Sequence, residues 1–197
     1  MNLPNKLSIF RILLVPLITL LYIFPYAQFG IEIMEFQVGF VTLKLTNLIV
    51  LVLFALASFT DYLDGHIARK HNLITSFGKF IDPIADKLLV NTMLILFAAT
   101  GVVPVLPVVV MIWRDTIVDG LRMNAARSGI VAAAGFMGKV KTVSQMLAIV
   151  VILLNNLPFE LVRFPMGDLL LWFAMCVSVI SGISYFKQLK DVVMETM

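Results

Sequence analysis

The sequence predicts an all-α integral membrane protein with six transmembrane helices. Three observations carry that expectation. Of the 197 residues, 60% are hydrophobic and only 14% are charged. Mean hydropathy is +1.00, more apolar than a soluble domain of this size needs to be. The apolar residues also gather into six runs, each near the ~20 residues a helix needs to cross a bilayer. The single cysteine, Cys176, excludes an intramolecular disulfide and a cysteine-based metal cluster.

The six runs lie at about 7–26, 46–68, 78–100, 104–126, 140–157 and 168–187. The first superficially resembles a signal peptide. It lacks a small-residue cleavage site and its apolar stretch is long, so it reads as a retained span. The second ends in a charged stretch, Asp61 to Lys70, and the third opens on another, Lys79 to Lys87. The connection at 69–77 is short, so these two helices are expected to be antiparallel neighbours. The fourth run carries Trp113-Arg114-Asp115 and Arg122, and the fifth opens on Gly138-Lys139-Val140-Lys141-Thr142. The sixth carries no charge from Leu169 to Phe186. Pro4, Pro16, Pro83, Pro104 and Pro107 lie near the starts of spans or inside them, where membrane helices tolerate them. No linker, repeat or low-complexity segment interrupts the chain, so residues 1–197 are expected to form a single domain.

Basic residues orient the bundle. Lys6, Arg11, Arg69, Lys70, Lys79, Arg122, Arg127, Lys139, Lys141, Lys187 and Lys190 fall on one side, and only Lys44 and Arg163 on the other. The positive-inside rule therefore puts both termini and the 69–79 and 127–139 loops in the cytoplasm. That basic face suits membrane lipid headgroups or phosphorylated substrates; no nucleic-acid partner is expected.

Against this apolar background, four carboxylates stand together. Asp61 and Asp64 are three apart, and Asp82 and Asp86 four apart, so on helices each pair shares a face. A carboxylate inside a bilayer costs roughly 2.5–3.5 kcal/mol on insertion scales. Four together also repel one another, so something positive must hold them. Their hard oxygens suit two divalent cations, Mg²⁺ or Mn²⁺, about 3.5–4 Å apart. Gly65, Ala68 and Gly78 are small residues on the same faces. They read as room for a bulky ligand beside the carboxylates, where elsewhere they would read as close helix packing. Arg69 can pair with an aspartate or grip a phosphate through both of its terminal nitrogens.

The pattern Asp61-x2-Asp64-Gly65-x2-Ala68-Arg69-x8-Gly78-x3-Asp82-x3-Asp86 resembles the complete signature of the CDP-alcohol phosphatidyltransferases, with all eight positions at the family's spacing. The resemblance implies that family's fold: a homodimer of six-helix protomers with the active site at the cytoplasmic membrane boundary. It implies that Asp61, Asp64, Asp82 and Asp86 hold two divalent ions. It also implies that Gly65, Ala68, Arg69 and Gly78 shape a CDP pocket, and that Asp86 doubles as general base. The expected donor is CDP-diacylglycerol, attacked in line by an alcohol at the phosphorus bonded to the diacylglycerol oxygen, with CMP as leaving group.

The second charged cluster bears on the alcohol. Arg114, Arg122, Lys139 and Lys141 supply positive charge on the same side as the carboxylates, with Asp115 or Asp119 able to neutralise part of it. An arginine in mid-span is costly, so Arg114 is expected to face the interior or a wet cavity. An acceptor carrying its own phosphate would use such a pocket; a neutral alcohol would not. The arrangement is similar to the bacterial phosphatidylglycerophosphate synthase branch, which takes sn-glycerol 3-phosphate, although Asp115 stands where that branch commonly has Glu. Pro4-Asn5-x-Leu7-Ser8-x2-Arg11 resembles the same branch, which brings Asn5 and Arg11 toward the donor headgroup. By this resemblance the chain would lie in a bacterial cytoplasmic membrane. His66 and His71 occupy unspecified positions and read as bystanders. Trp113 and Trp172 read as lipid-facing or packing residues.

Other readings remain open at this point. Another member of the family would use inositol phosphate, serine or phosphatidylglycerol as acceptor. A divalent-cation transporter would also carry intramembrane carboxylates, though nearer mid-bilayer and reachable from both sides. A purely structural scaffold leaves four costly aspartates without a task.

Overall fold

The structure is a computed structural model that describes residues 2–70, 75–127 and 135–194. Six long helices follow the expected order: α1 (Leu3–Ile23), α2 (Leu45–Lys70), α3 (Ser76–Ala99), α4 (Val105–Arg127), α5 (Phe136–Leu153) and α6 (Met166–Met194). Four of them, α1, α2, α5 and α6, contain stretches long and apolar enough to cross a membrane. The other two are as long but carry more charge along their length: Asp82, Asp86 and Lys87 in α3, and Arg114, Asp115, Asp119 and Arg122 in α4.

Helix α1 starts four residues earlier than the hydropathy suggests. The Asn2 side chain accepts a hydrogen bond from the Asn5 amide at 3.4 Å. Pro4 sits in the first turn, where its missing N–H has no helical partner to lose. Its buried residues, Pro4, Asn5, Ser8, Arg11, Leu14, Val15 and Ile18, recur at helical spacing. The stripe is polar in its first half and apolar in its second.

Between α1 and α2 lie a 3-10 turn at Tyr26–Phe29 and a two-stranded antiparallel hairpin, β1 (Glu35–Val38) and β2 (Val41–Lys44). This is a departure from the all-α expectation. Its signal is the alternation along Val41–Lys44, which buries Val41 and Leu43 on one face. Gly39, at φ +65°, opens a two-residue turn of the kind that favours glycine. On the same side of the molecule, Asn155 donates to the Thr42 carbonyl at 2.6 Å. Asn156 holds the α5–α6 connection by donating to Phe164 O and accepting from Gly167 N.

The helices form two groups of three. Helix α1 packs along both α2 and α3, and α6 packs along both α4 and α5; α3 and α2 join the groups. Ile18, Phe54, Met93, Phe97, Met111, Ile149 and Leu171 form one continuous core through both. The outside is apolar as well, with Leu13, Phe59, Ile95, Trp113, Ile117 and Phe173 about half exposed or more, as a lipid-facing surface requires. Helices α2 and α3 are in contact, as expected of neighbours. They meet only over a short stretch, because α1 lies against both. A short connection brings two helix ends together, but it does not prevent a third helix from entering the groove between them.

Candidate active site

The polar half of the α1 stripe enters the place where the acidic ends of α2 and α3 converge. Arg11 is wholly buried and reaches three carboxylates. Its Nη1 donates to Asp61 Oδ1 at 2.8 Å and also to Asp86, and its Nη2 donates to Asp64 Oδ2 at 2.6 Å. One turn earlier, Ser8 Oγ donates to Asp82 Oδ1 at 2.5 Å. All four aspartates expected to act together are therefore gathered around two side chains of α1. Asp64 is buried, while the Asp61 and Asp86 side chains are 37% and 46% exposed, so the cluster opens on one side.

The sequence places paired dications at the centre of these carboxylates; in the structure the centre is a guanidinium. Among the described residues, no three of His, Cys, Asp or Glu are disposed as a metal-binding set. The physical demand is the one the sequence raises, since buried carboxylates need a positive partner. Arg11 meets part of that demand. Four carboxylates against one guanidinium still leave a local surplus of negative charge.

Asn5 and Gly78 belong to the same corner. Thr75 caps α3 by accepting from the Gly78 amide at 3.0 Å, and its hydroxyl donates to Asn5 Oδ1 at 3.1 Å. A Cβ on Gly78 would stand 3.0 Å from Asn5 Oδ1 and 3.3 Å from Thr75 Oγ1. Here the absent side chain lets α1 and the start of α3 approach, so the space is taken by protein and not left open. Gly65 follows Asp64 on α2, half-buried. The side chains of Ala68 and Arg69, and all of His71, lie outside the described residues.

The basic cluster forms a second site on the other flank of α3. Arg114 points inward as its cost in mid-span demands. Its Nη1 donates to Asp115 at 2.9 Å, its Nε to Ser178 O at 3.1 Å and its Nη2 to Ser181 Oγ at 2.6 Å. Lys141 Nζ binds both oxygens of Asp115, at 2.5 and 2.6 Å, and Lys87 binds Asp119. A cleft of about 160 Å³ lies among Lys87, Arg114, Asp115, Asp119, Arg122, Lys141, Thr142 and Tyr185. Four cations face two carboxylates, so the cleft keeps a positive surplus. Its volume is that of several water molecules. Lys139 is the exception to the expected set. It is exposed and does not line the cleft, because residues two apart on a helix point to nearly opposite faces.

Asp86 and Lys87 are consecutive on α3. One reaches the acidic cluster and the other the basic cleft, which makes α3 the wall between the two sites. Sequence reasoning assigned no site role to Ser8, Thr75, Lys87, Ser181 or Tyr185, and it gave Arg11 only the donor headgroup. For α1 the signal was there: Asn5, Ser8 and Arg11 recur every three residues in a mostly apolar helix.

The family model for CDP-alcohol phosphatidyltransferase matches residues 1–180. The chain is 44% identical over 187 residues to the CDP-diacylglycerol--glycerol-3-phosphate 3-phosphatidyltransferase of Bacillus subtilis (strain 168), covering 95% of this chain and 94% of the relative. It is 36% identical over 190 residues to the protein of the same name from Rickettsia bellii (strain RML369-C), covering 96% of each. Full-length similarity of this kind, together with the four gathered aspartates, places the chain in the CDP-alcohol phosphatidyltransferase family.

Proposed function

We propose that this chain transfers the phosphatidyl group of CDP-diacylglycerol to sn-glycerol 3-phosphate, giving phosphatidylglycerophosphate and CMP. The observation that carries the reading is the Asp86–Lys87 step on α3, which puts a carboxylate of the acidic cluster next to a cation-rich cleft. A phosphorylated alcohol would rest its phosphate among Lys87, Arg114, Arg122 and Lys141 and turn its hydroxyl toward the acidic cluster. The relatives named for this reaction support the choice of donor and acceptor.

In the reaction the acceptor hydroxyl oxygen bonds to the phosphorus that carries diacylglycerol. The bond from that phosphorus to the CMP phosphate breaks, and the hydroxyl proton passes to a carboxylate. Asp86 suits that last task, being part of the cluster and still 46% exposed on its open side. The hold of Thr75 on Asn5 beside the cluster supports a role for Asn5 at the donor's headgroup, and Gly65, Ala68, Arg69 and Gly78 would shape the CDP pocket by their place in the family signature. The donor chemistry suits the family's use of divalent ions, since the oxygens are hard and Arg11 leaves them net negative, although among the described residues they are gathered on Arg11 and not arranged as a metal-binding set. Asp61, Asp64, Asp82 and Asp86 would hold two such ions, Mg²⁺ or Mn²⁺. These, when bound, supply charge neutralisation for the pyrophosphate and the departing CMP.

The chain would act as a single six-span domain in a bacterial cytoplasmic membrane. Both termini and the active site would face the cytoplasm, and a second protomer would complete a homodimer. The basic-residue asymmetry supports the orientation. The clusters' position near one end of α2 and α3 argues against a transporter, whose carboxylates belong near mid-bilayer. An acceptor panel with labelled CDP-diacylglycerol tests the reading. CMP release should depend on sn-glycerol 3-phosphate. Release that depends instead on inositol phosphate, serine or phosphatidylglycerol would overturn the acceptor, and metal flux without CMP would overturn the reaction.

A further inference from the structure

Helix α6 builds a seat for Arg114. The Ser178 carbonyl and the Ser181 hydroxyl accept from its guanidinium, and Gly182 lets its stem pass: a Cβ there would stand 3.0 Å from Arg114 Cγ. The next residue on this face is Tyr185, one turn past Ser181. It is 5% exposed and lies beyond the last residue of the family match. Its ring stands under two guanidinium groups at once, 5.6 Å from Arg114 and 5.4 Å from Arg122. Its hydroxyl accepts from the Gly135 amide at 3.0 Å, where α5 begins.

These contacts join two of the three helices that supply cations to the cleft, the third being α3 with Lys87. Arg114 and Arg122 come from α4, and Lys141 from α5. Two arginines eight residues apart, both close to a third cation, repel one another and have many other rotamers available. An aromatic face attracts both guanidinium planes without neutralising them, as a carboxylate would. The ring thus helps fix the direction of both guanidinium groups, Arg114 being paired with Asp115 as well, while the hydroxyl holds the start of α5 so that Lys141 keeps its distance from them.

We propose that Tyr185 is a positioning residue for the phosphate end of the acceptor, setting the Arg114–Arg122 pair on α4 against Lys141 on α5. The inference rests on the phosphorylated-acceptor reading, and its consequence is a selective one. A phosphate group should lose affinity when the ring is removed, while the CDP-lipid, bound across α3, should not.

The test uses the full chain in detergent micelles, with both substrates varied. Y185L removes the ring and the hydroxyl and should raise the KM for sn-glycerol 3-phosphate by roughly 10- to 30-fold. The KM for CDP-diacylglycerol should stay within about twofold, and inorganic phosphate should weaken as a competitive inhibitor in parallel. Y185F keeps the ring and should raise the acceptor KM by only about threefold. If Y185L is not recovered folded, Y185H, with a smaller aromatic face, carries the same comparison and should fall between the two. Equal losses for both substrates, or an unchanged acceptor KM, would overturn the proposal. A wild-type protein indifferent to every phosphorylated acceptor would instead overturn the reading beneath it.

Discussion

Arg11 is the side chain on which the acidic cluster depends, and replacing it by Met tests that dependence. The substitution keeps an unbranched stem and removes the guanidinium, so the apolar packing of α1 is largely preserved. Three ion pairs disappear, but they are unequal. Asp61 and Asp86 are 37% and 46% exposed and recover water, so their losses are small. Asp64, at 3% exposure, cannot. Leaving one buried charge without its partner costs about 3–5 kcal/mol. For a chain of this size that lowers an unfolding midpoint by about 6–20 °C. The assay is thermal unfolding in detergent with a chelator present. Replacing Asp64 by Asn in the same chain removes the stranded charge, so R11M/D64N should regain part of the loss. A midpoint for R11M within about 2 °C of the parent, or a double variant worse than the sum of the singles, would refute this account of what gathers the aspartates.

Two further substitutions separate roles within the proposed site. Asp86→Asn should lower kcat by about 10²- to 10⁴-fold while CDP-diacylglycerol binding survives, measured as retained donor affinity beside lost turnover. Loss of donor binding in step with turnover would move Asp86 out of proton transfer. Arg122→Ala should raise the acceptor KM by about tenfold, whereas Lys139→Ala should change it by less than about twofold, because only Arg122 lines the cleft. Equal effects in parallel acceptor titrations would return Lys139 to the site.

Much of the fold is legible because charge is so sparse in this chain. Six apolar runs mark the helices to within four residues at every end but one, the C-terminal end of α6. The N-terminal end of α1 is set by the Asn2 cap and Pro4, and α6 runs on to Met194 past the apolar stretch. The aspartate pairs are legible for the same reason, since little else in the region could hold or repel them. The insertion of α1 is not legible from hydropathy, which sees α1 as uniformly apolar. It follows from three polar residues on one stripe, Asn5, Ser8 and Arg11, that find partners only between α2 and α3. The hairpin is short and lies in a stretch too brief for a span, so a search tuned to helices passes over its alternation. Lys139 was paired with Lys141 because the two are close in sequence, although helical geometry turns them apart.

What the structure adds to the sequence is a division of labour along single helices. Consecutive side chains on a helix diverge by about 100°. Asp86 and Lys87 use that divergence to serve two sites of opposite charge without either neutralising the other: Asp86 meets Arg11 of α1, and Lys87 meets Asp119 of α4. Had the two charges been four residues apart they would have shared a face and paired, leaving neither the cluster nor the cleft its surplus. The adjacency therefore does more than place both groups near the reaction. It keeps a negative surplus where an activated pyrophosphate would bring cations, and a positive surplus where an acceptor phosphate would come to rest.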